Sequence, residues 1–162
     1  KGAKDSTVTI IGPETPIQNP DGSPNTGAYN CHSYAWENSM GDPTDPANSS
    51  LVAAGITRWD QTPYKNTGGY QMIPFSAKNQ VGDRVVYYAW DATAGRVSAT
   101  HSAIVTKVNS SGQAVRVTSK FGEGPLATHH PRNIPASYGS PNPTFVAPNG
   151  TTYQSRIYFR KN

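Results

Sequence analysis

One sulfur and four imidazoles carry most of the nucleophilic and acid–base chemistry open to this 162-residue chain. The sulfur is Cys31, in Asn30-Cys31-His32-Ser33-Tyr34-Ala35-Trp36, and the imidazoles are His32, His101, His129 and His130. A lone cysteine excludes an intrachain disulfide framework and a multi-cysteine zinc site. Two roles stay open to it, a small buried hydrophobe or a nucleophile. The second needs a base within hydrogen-bond reach, itself oriented by a third polar group. Asn30 suits a helix N-cap, so a helix is expected over residues 31–40, stopped by Gly41 and Pro43. A thiol in its first turn feels unpaired backbone N–H groups, which favour thiolate and lower its pKa. The Cys31 N–H is then one oxyanion donor. Tyr29, Asn25 and Gln18, just upstream, are candidates to fold over the site. His101 begins His101-Ser102-Ala103-Ile104-Val105-Thr106-Lys107-Val108, a strand pattern and a rigid support for a base.

The elements that must bring these groups together follow from composition and pattern. Fifteen Gly and 14 Pro, against ten acidic and 14 basic residues, argue against coiled coils and for loops and strands. Nine Tyr, four Phe and three Trp suffice for a packed core. Nothing breaks the chain into pieces, and one domain over residues 1–162 is expected. A strand is expected at 7–11, then a Pro-interrupted loop to residue 30, the helix, and a turn-rich stretch from 42 to 79 with a short helix at 50–54. Strands follow at 84–90, 101–108 and 114–121, with a loop at 91–99 and a Pro/Asn-rich loop through Asn149. A last strand covers 153–160. Helix before sheet makes this an α+β layout, with the helix that carries the cysteine packed on an antiparallel sheet.

The residues around Cys31 and His101 form a larger pattern. Cys31 is followed by Tyr34 and Trp36, then by Val81-Gly82-Asp83-Arg84-Val85-Val86-Tyr87, then by the His101 strand. In type and order this resembles the CHAP family (cysteine, histidine-dependent amidohydrolases/peptidases), over about residues 28–121. The resemblance implies a papain-like fold of the NlpC/CHAP type, with Cys31 as nucleophile, His101 as general base and no cofactor. It also implies amide hydrolysis, in many members of bacterial peptidoglycan. Two positions depart from the family pattern: Thr100 stands where a small residue usually precedes the histidine, and no acidic residue or Asn occupies the following strand.

Hairpin geometry offers substitutes for the missing residue. With a five-residue loop over 109–113, Val108 faces Ala114, Val105 faces Val117, and Ser119 lies diagonally beside His101 as its orienting group. With a four-residue loop Lys120 faces His101 instead, depressing its pKa, and becomes a contact for a substrate carboxylate. Glu123, in Gly122-Glu123-Gly124-Pro125, either lines the cleft or is a solvated turn carboxylate. One of His129 and His130 could orient His101 or touch substrate, against the plainer reading of a loop pair before Pro131. A metal held by that pair has no carboxylate or cysteine at ligand spacing to complete it. Asp83 is expected to serve its turn by accepting backbone N–H groups, without a role in chemistry.

The expected function is therefore a cysteine amidase or endopeptidase on peptidoglycan. Alternatives are a toxin or effector that uses the same chemistry on a protein, and a catalytically silent wall-binding module. The net charge of +4 is spread without a basic stripe, which fits a polyanionic wall and speaks against a dedicated nucleic-acid reader. No apolar run is long enough to span a membrane, and Lys1-Gly2-Ala3-Lys4-Asp5 lacks the hydrophobic run of a signal peptide. A monomer, exported with any signal already removed, is the expectation.

Overall fold

β-Branched and aromatic residues crowd the second half of the chain, and there they form strands. The computed structural model describes residues 9–10, 31–37, 70–121 and 126–162. The strands are β1 (Thr9–Ile10), β2 (Tyr70–Ile73), β3 (Arg84–Asp91), β4 (Arg96–Val108), β5 (Ala114–Lys120), β6 (Leu126–His129), β7 (Thr144–Val146), β8 (Thr152–Gln154) and β9 (Arg156–Lys161). Seven make one antiparallel sheet, in the order β1-β6-β5-β4-β3-β9-β2, and β7 pairs with β8. Among the described residues, helical structure is limited to α1 (Cys31–Glu37) and a 3₁₀ turn (Ala136–Tyr138).

This corrects the expected α+β, papain-like class. The described residues are mostly strand in an antiparallel sheet, without an N-terminal helical layer over it. The physical reason is length. Seven residues make two turns, too few to hold a helix by themselves or to cover a sheet face. α1 is instead tied down at single residues: Ala35 is fully buried beside Val86, Tyr88 and Phe159, and Arg84 Nε donates to its carbonyl at 2.7 Å.

Other expectations shift as well. The loop expected at 91–99 shrinks to a tight turn, because Asp91 Oδ1 accepts the N–H groups of Thr93 and Ala94 and β4 already starts at Arg96. The stretches expected to be loops contain β2, β6, β7 and the 3₁₀ turn, and the last strand is split at Ser155. These short strands, three or four residues each, carry too few alternations to stand out from turn residues. Of the expected strand 7–11, residues 9–10 are described. The helix at 50–54 and residues 38–40 of the first helix lie outside the described residues.

The strands bury both faces of the sheet. Val85, Tyr87, Ala103, Val105, Val117 and Tyr158 pack with Ile73 and Ile134 on one face, while Val86, Tyr88 and Phe159 pack on the other. Double coverage explains the unbroken apolar run Val85–Tyr88, where a half-exposed strand would alternate. The β4–β5 register pairs Val105 with Val117 and Val108 with Ala114, as the five-residue loop predicts. Where β3 pairs with β4 the register slips: Tyr87 faces His101 but Tyr88 faces Ala99, leaving Thr100 as an extra residue in a bulge.

Asp83 anchors the entrance to β3. It is 1% exposed, accepts the Gln80 N–H at 2.8 Å as the turn requires, and receives both Arg160 Nε at 2.8 Å and Nη2 at 2.9 Å from β9. Burial alone raises the Asp83 carboxyl. The Arg160 hydrogen bonds, the Gln80 N–H, the Arg160 charge and Asn79 outweigh it, so the group lies below its ordinary 3.8. Its stabilising contribution is therefore present above about pH 4 and lost as pH falls through the lower, folded value. Asp83→Asn should cost about 2–3 kcal/mol at pH 7, less than a fully buried pair because Arg160 is partly exposed. Urea denaturation should show the difference from the parent chain closing in acid; a gap constant with pH would contradict the ion pair's role.

Candidate functional site

His101 is the most confined imidazole of the chain. It is 0% exposed, and its position on β4 places it on the face of Tyr87, Ala103 and Val105. Tyr138 lies flat against it, with ring centroids 4.3 Å apart and planes 11° from parallel. Phe121 stacks at 5.2 Å and Tyr87 tilts in at 5.6 Å. Both ring nitrogens are buried without a hydrogen-bond partner. Burial first, then the charges of His129 and His32, hold the His101 pKa well below 6.5, so the ring is neutral at pH 7.

The Thr100 bulge sets this arrangement. The Thr100 hydroxyl donates to the Tyr87 and Tyr138 carbonyls, which ties the 3₁₀ turn over the histidine. Gly139 completes the cover. Its φ is +135°, and a Cβ there would stand 2.7 Å from the Tyr88 carbonyl oxygen, so no larger residue fits behind Tyr138.

Cys31, at the start of α1, is 6% exposed and not disulfide-bonded. It lies near enough to Tyr138 for their charges to interact: burial first, and repulsion from the Cys31 thiolate second, push the phenol up to about 12. Tyr138 is thus a shared neighbour of sulfur and imidazole. Because neither His101 nitrogen is engaged, no S–H···N bond joins them in this conformation. The next residue, His32, is hydrogen-bonded through Nδ1 to Ser102 Oγ at 2.6 Å, on the opposite face of β4 from His101.

Ser119 is placed where the register predicts but serves another ring. Its hydroxyl lies 3.0 Å from Nε2 of His129, not on His101. His129 Nδ1 is 2.8 Å from the His130 carbonyl, which can only accept. His129 therefore carries its proton on Nδ1, and Nε2 accepts the Ser119 O–H. Burial lowers the His129 pKa against backbone hydrogen bonds at His130 and Asn133, and the ring is neutral. The correction has a geometric cause: β6 pairs on the far side of β5, with Val117 opposite His129, which puts that imidazole diagonal to Ser119.

His130 is exposed and lines a cavity on the sheet's rim, accepting the Arg132 N–H at Nδ1. Tyr29, Glu123, Gln18 and Asn25 lie outside the described residues, as do the side chains of Lys120 and Trp36. Tyr34 is buried, as a packing residue should be. Among the described residues no cluster of three His, Cys, Asp or Glu side chains could hold a metal ion, and no helix is long and apolar enough to cross a membrane. Phe121 opposite His101 follows from the hairpin register. Tyr138 had no local signal, since its role arises from a turn 37 residues past the histidine.

Fold and site define a mostly β domain in which the buried His101 is walled by the rings of Tyr87, Phe121 and Tyr138. A family model for a domain of unknown function (DUF7689) matches residues 21–146, and the chain belongs to that family. No curated protein and no solved structure matches it.

A ring held only by aromatic packing gains nothing from its nitrogens. His101→Phe should raise stability by about 1–2 kcal/mol at pH 7, because two buried unsatisfied polar atoms are removed. The unfolded chain takes up a proton at His101 below about pH 6.5 while the folded chain resists it. The histidine form therefore loses stability as pH falls, and the advantage of Phe should grow by up to about 1.4 kcal/mol per unit. Urea midpoints between pH 7 and 5 measure this; a destabilised Phe variant would mean that the nitrogens are held by a polar contact.

Proposed function

We propose that the chain is a cysteine-dependent amide hydrolase, with Cys31 as nucleophile and His101 as general base, acting on peptide or amide bonds of bacterial peptidoglycan. The observation that carries the reading is a neutral imidazole kept buried with both nitrogens unengaged, under a tyrosine that also senses Cys31. Such unsatisfied groups are costly and are retained where chemistry uses them. The likeness of the Cys31, Gly82-Asp83 and His101 segments to CHAP enzymes supports the same roles.

The reaction needs no redox step. As substrate binds, the Cys31 thiol passes its proton to a His101 nitrogen, and the sulfur attacks the amide carbon to give a tetrahedral oxyanion. The oxyanion collapses, the C–N bond breaks, and the proton on His101 goes to the departing amine. Water, deprotonated by His101, then cleaves the thioester and releases the carboxylate product and the thiol. In this reading the S–H···N bond forms only when substrate binds, since catalytic hydrogen bonds are commonly incomplete in substrate-free enzymes. Aromatic walls around His101 keep competing water off the base.

A silent wall-binding module is favoured by one observation, the engagement of Ser119 with His129 in place of His101. Purified peptidoglycan incubated with the chain separates the two readings. The hydrolase should release muropeptides of lower mass, and Cys31→Ala should reduce the rate by at least about 10³-fold with the fold retained. Iodoacetamide should alkylate Cys31 at pH 6 faster than free cysteine, of which only about 0.3% is thiolate there. Unchanged muropeptide masses together with alkylation no faster than free cysteine would reject the hydrolase.

A further inference from the structure

Away from His101, one cavity is lined by Lys78, Arg132 and Arg156 with no acidic residue among its described lining residues to match them. It measures about 550 Å³ and lies between the β2–β3 connection, the β4–β5 turn and the segment after β6. Lys78, His130, Arg132 and Arg156 line it, with Phe75 and Tyr158 as its aromatic surface, and no acidic residue stands among the described lining residues. The volume falls in the range of small-molecule sites.

Arg156 is the key member. Its side chain points to the same face as Tyr158, two residues on in β9, and it is only 7% exposed. A buried guanidinium is ordinarily matched by a carboxylate, because removing its charge from water is costly. Here the partners are neutral. Nη1 donates to the Pro141 carbonyl at 3.2 Å, the Tyr158 phenol lies near enough for the guanidinium to lower its pKa against the larger effect of burial, and the cation sits 5.4 Å from the Phe75 ring centre. Nε is buried without a hydrogen-bond partner.

A second guanidinium makes the imbalance sharper. Arg132 Nε donates at 3.0 Å to the same Pro141 carbonyl that receives Arg156, so one neutral oxygen is all that bridges two positive groups. His130 feels both: burial first, then repulsion from Arg132 and Arg156, lower its pKa. Arg160, by contrast, closes its fork on the Asp83 carboxylate.

We propose that this cavity is an anion-binding site, taking a small ligand whose carboxylate or phosphate group lies between Arg132 and Arg156 and whose body rests on Phe75 and Tyr158. Two guanidinium forks suit the oxygen pairs of either anion. Lys78 adds an exposed charge at the rim. It packs against the β4–β5 turn, where Gly112 (φ +80°) passes so close that a Cβ would meet the Lys78 side chain at 2.6 Å. The site does not rest on the hydrolase reading, and Cys31→Ala should bind as the parent chain does.

Calorimetric titration of the full chain at pH 7.5 and low ionic strength tests the assignment with three probes: inorganic phosphate, an N-acetylated dipeptide with a free C-terminal carboxylate, and the same dipeptide amidated. Saturable one-to-one binding of phosphate or of the free acid is expected, the stronger of the two identifying the anion source, and the amide should not bind. Arg132→Gln should weaken binding about tenfold and Lys78→Gln/Arg132→Gln further. Both residues are exposed, so these variants leave the core untouched; Arg156→Gln should abolish binding, with circular dichroism checking its fold. The proposal is overturned by the absence of saturable binding of either anion, by equal binding of acid and amide, or by unchanged affinity in the double variant.

Discussion

The position of one extra residue, Thr100, determines how the rest of the site is arranged. In an unbroken β4 the side chains of Val97 and Ala99 would share a face with His101, by simple alternation. The bulge turns them to the opposite face, where they pack against Val86, Tyr88 and Phe159, and leaves His101 facing Tyr87. The Thr100 hydroxyl also holds the Tyr138 carbonyl. One irregularity therefore both aims the imidazole and fixes the ring that covers it. A smaller residue, as the CHAP pattern has before its histidine, could make the bend but not that hydrogen bond.

Three buried polar groups show how differently this fold treats charge. Asp83 and Arg160 satisfy each other and the turn around them, tying β3 to β9. His101 avoids the cost of charge by remaining neutral, but its nitrogens stay unpaired. Arg156 cannot follow, since a guanidinium keeps its proton at any ordinary pH, and its charge is met only by neutral acceptors and a ring face. The first arrangement is what stability alone selects. The other two are departures from it, and departures of this kind gather where a molecule binds or reacts.

How much of this was legible in the sequence depended on range. The β4–β5 hairpin was readable as one of two registers, and the five-residue turn, the one observed, sets Phe121 opposite His101 and Ser119 beside that column. The role of Ser119 was not readable, because its true partner comes from β6, a four-residue strand whose sequence is hidden between Gly122-Glu123-Gly124-Pro125 and Pro131. The α+β class failed for a similar reason. A helix does start at Cys31, but capping signals say where a helix begins and little about whether it can cover a sheet. Arg156 could have been flagged: it alternates with Tyr158 in a strand whose next residue, Phe159, is also buried, so one of its polar side chains had to face inward.

The buried polar chain from Ser119 through His129 explains why the imidazole site and the charged cavity can coexist. Ser119 holds Nε2 of His129 and the His130 carbonyl holds Nδ1, so this ring is fixed from both ends. The backbone that follows is fixed with it. Pro131 offers its carbonyl to the Tyr87 hydroxyl at 2.6 Å beneath His101, and Arg132 turns outward to Pro141. Four consecutive residues thus run from the surroundings of His101 to the cavity, to which they contribute His130 and Arg132. The neutral state of His129 is what allows this. A charged ring there would add repulsion towards both His101 and the arginines, and its Nε2 would become a second donor facing a serine that must then accept. The segment divides a region without charge, where a base can stay unprotonated, from a region with excess positive charge, where an anion is attracted.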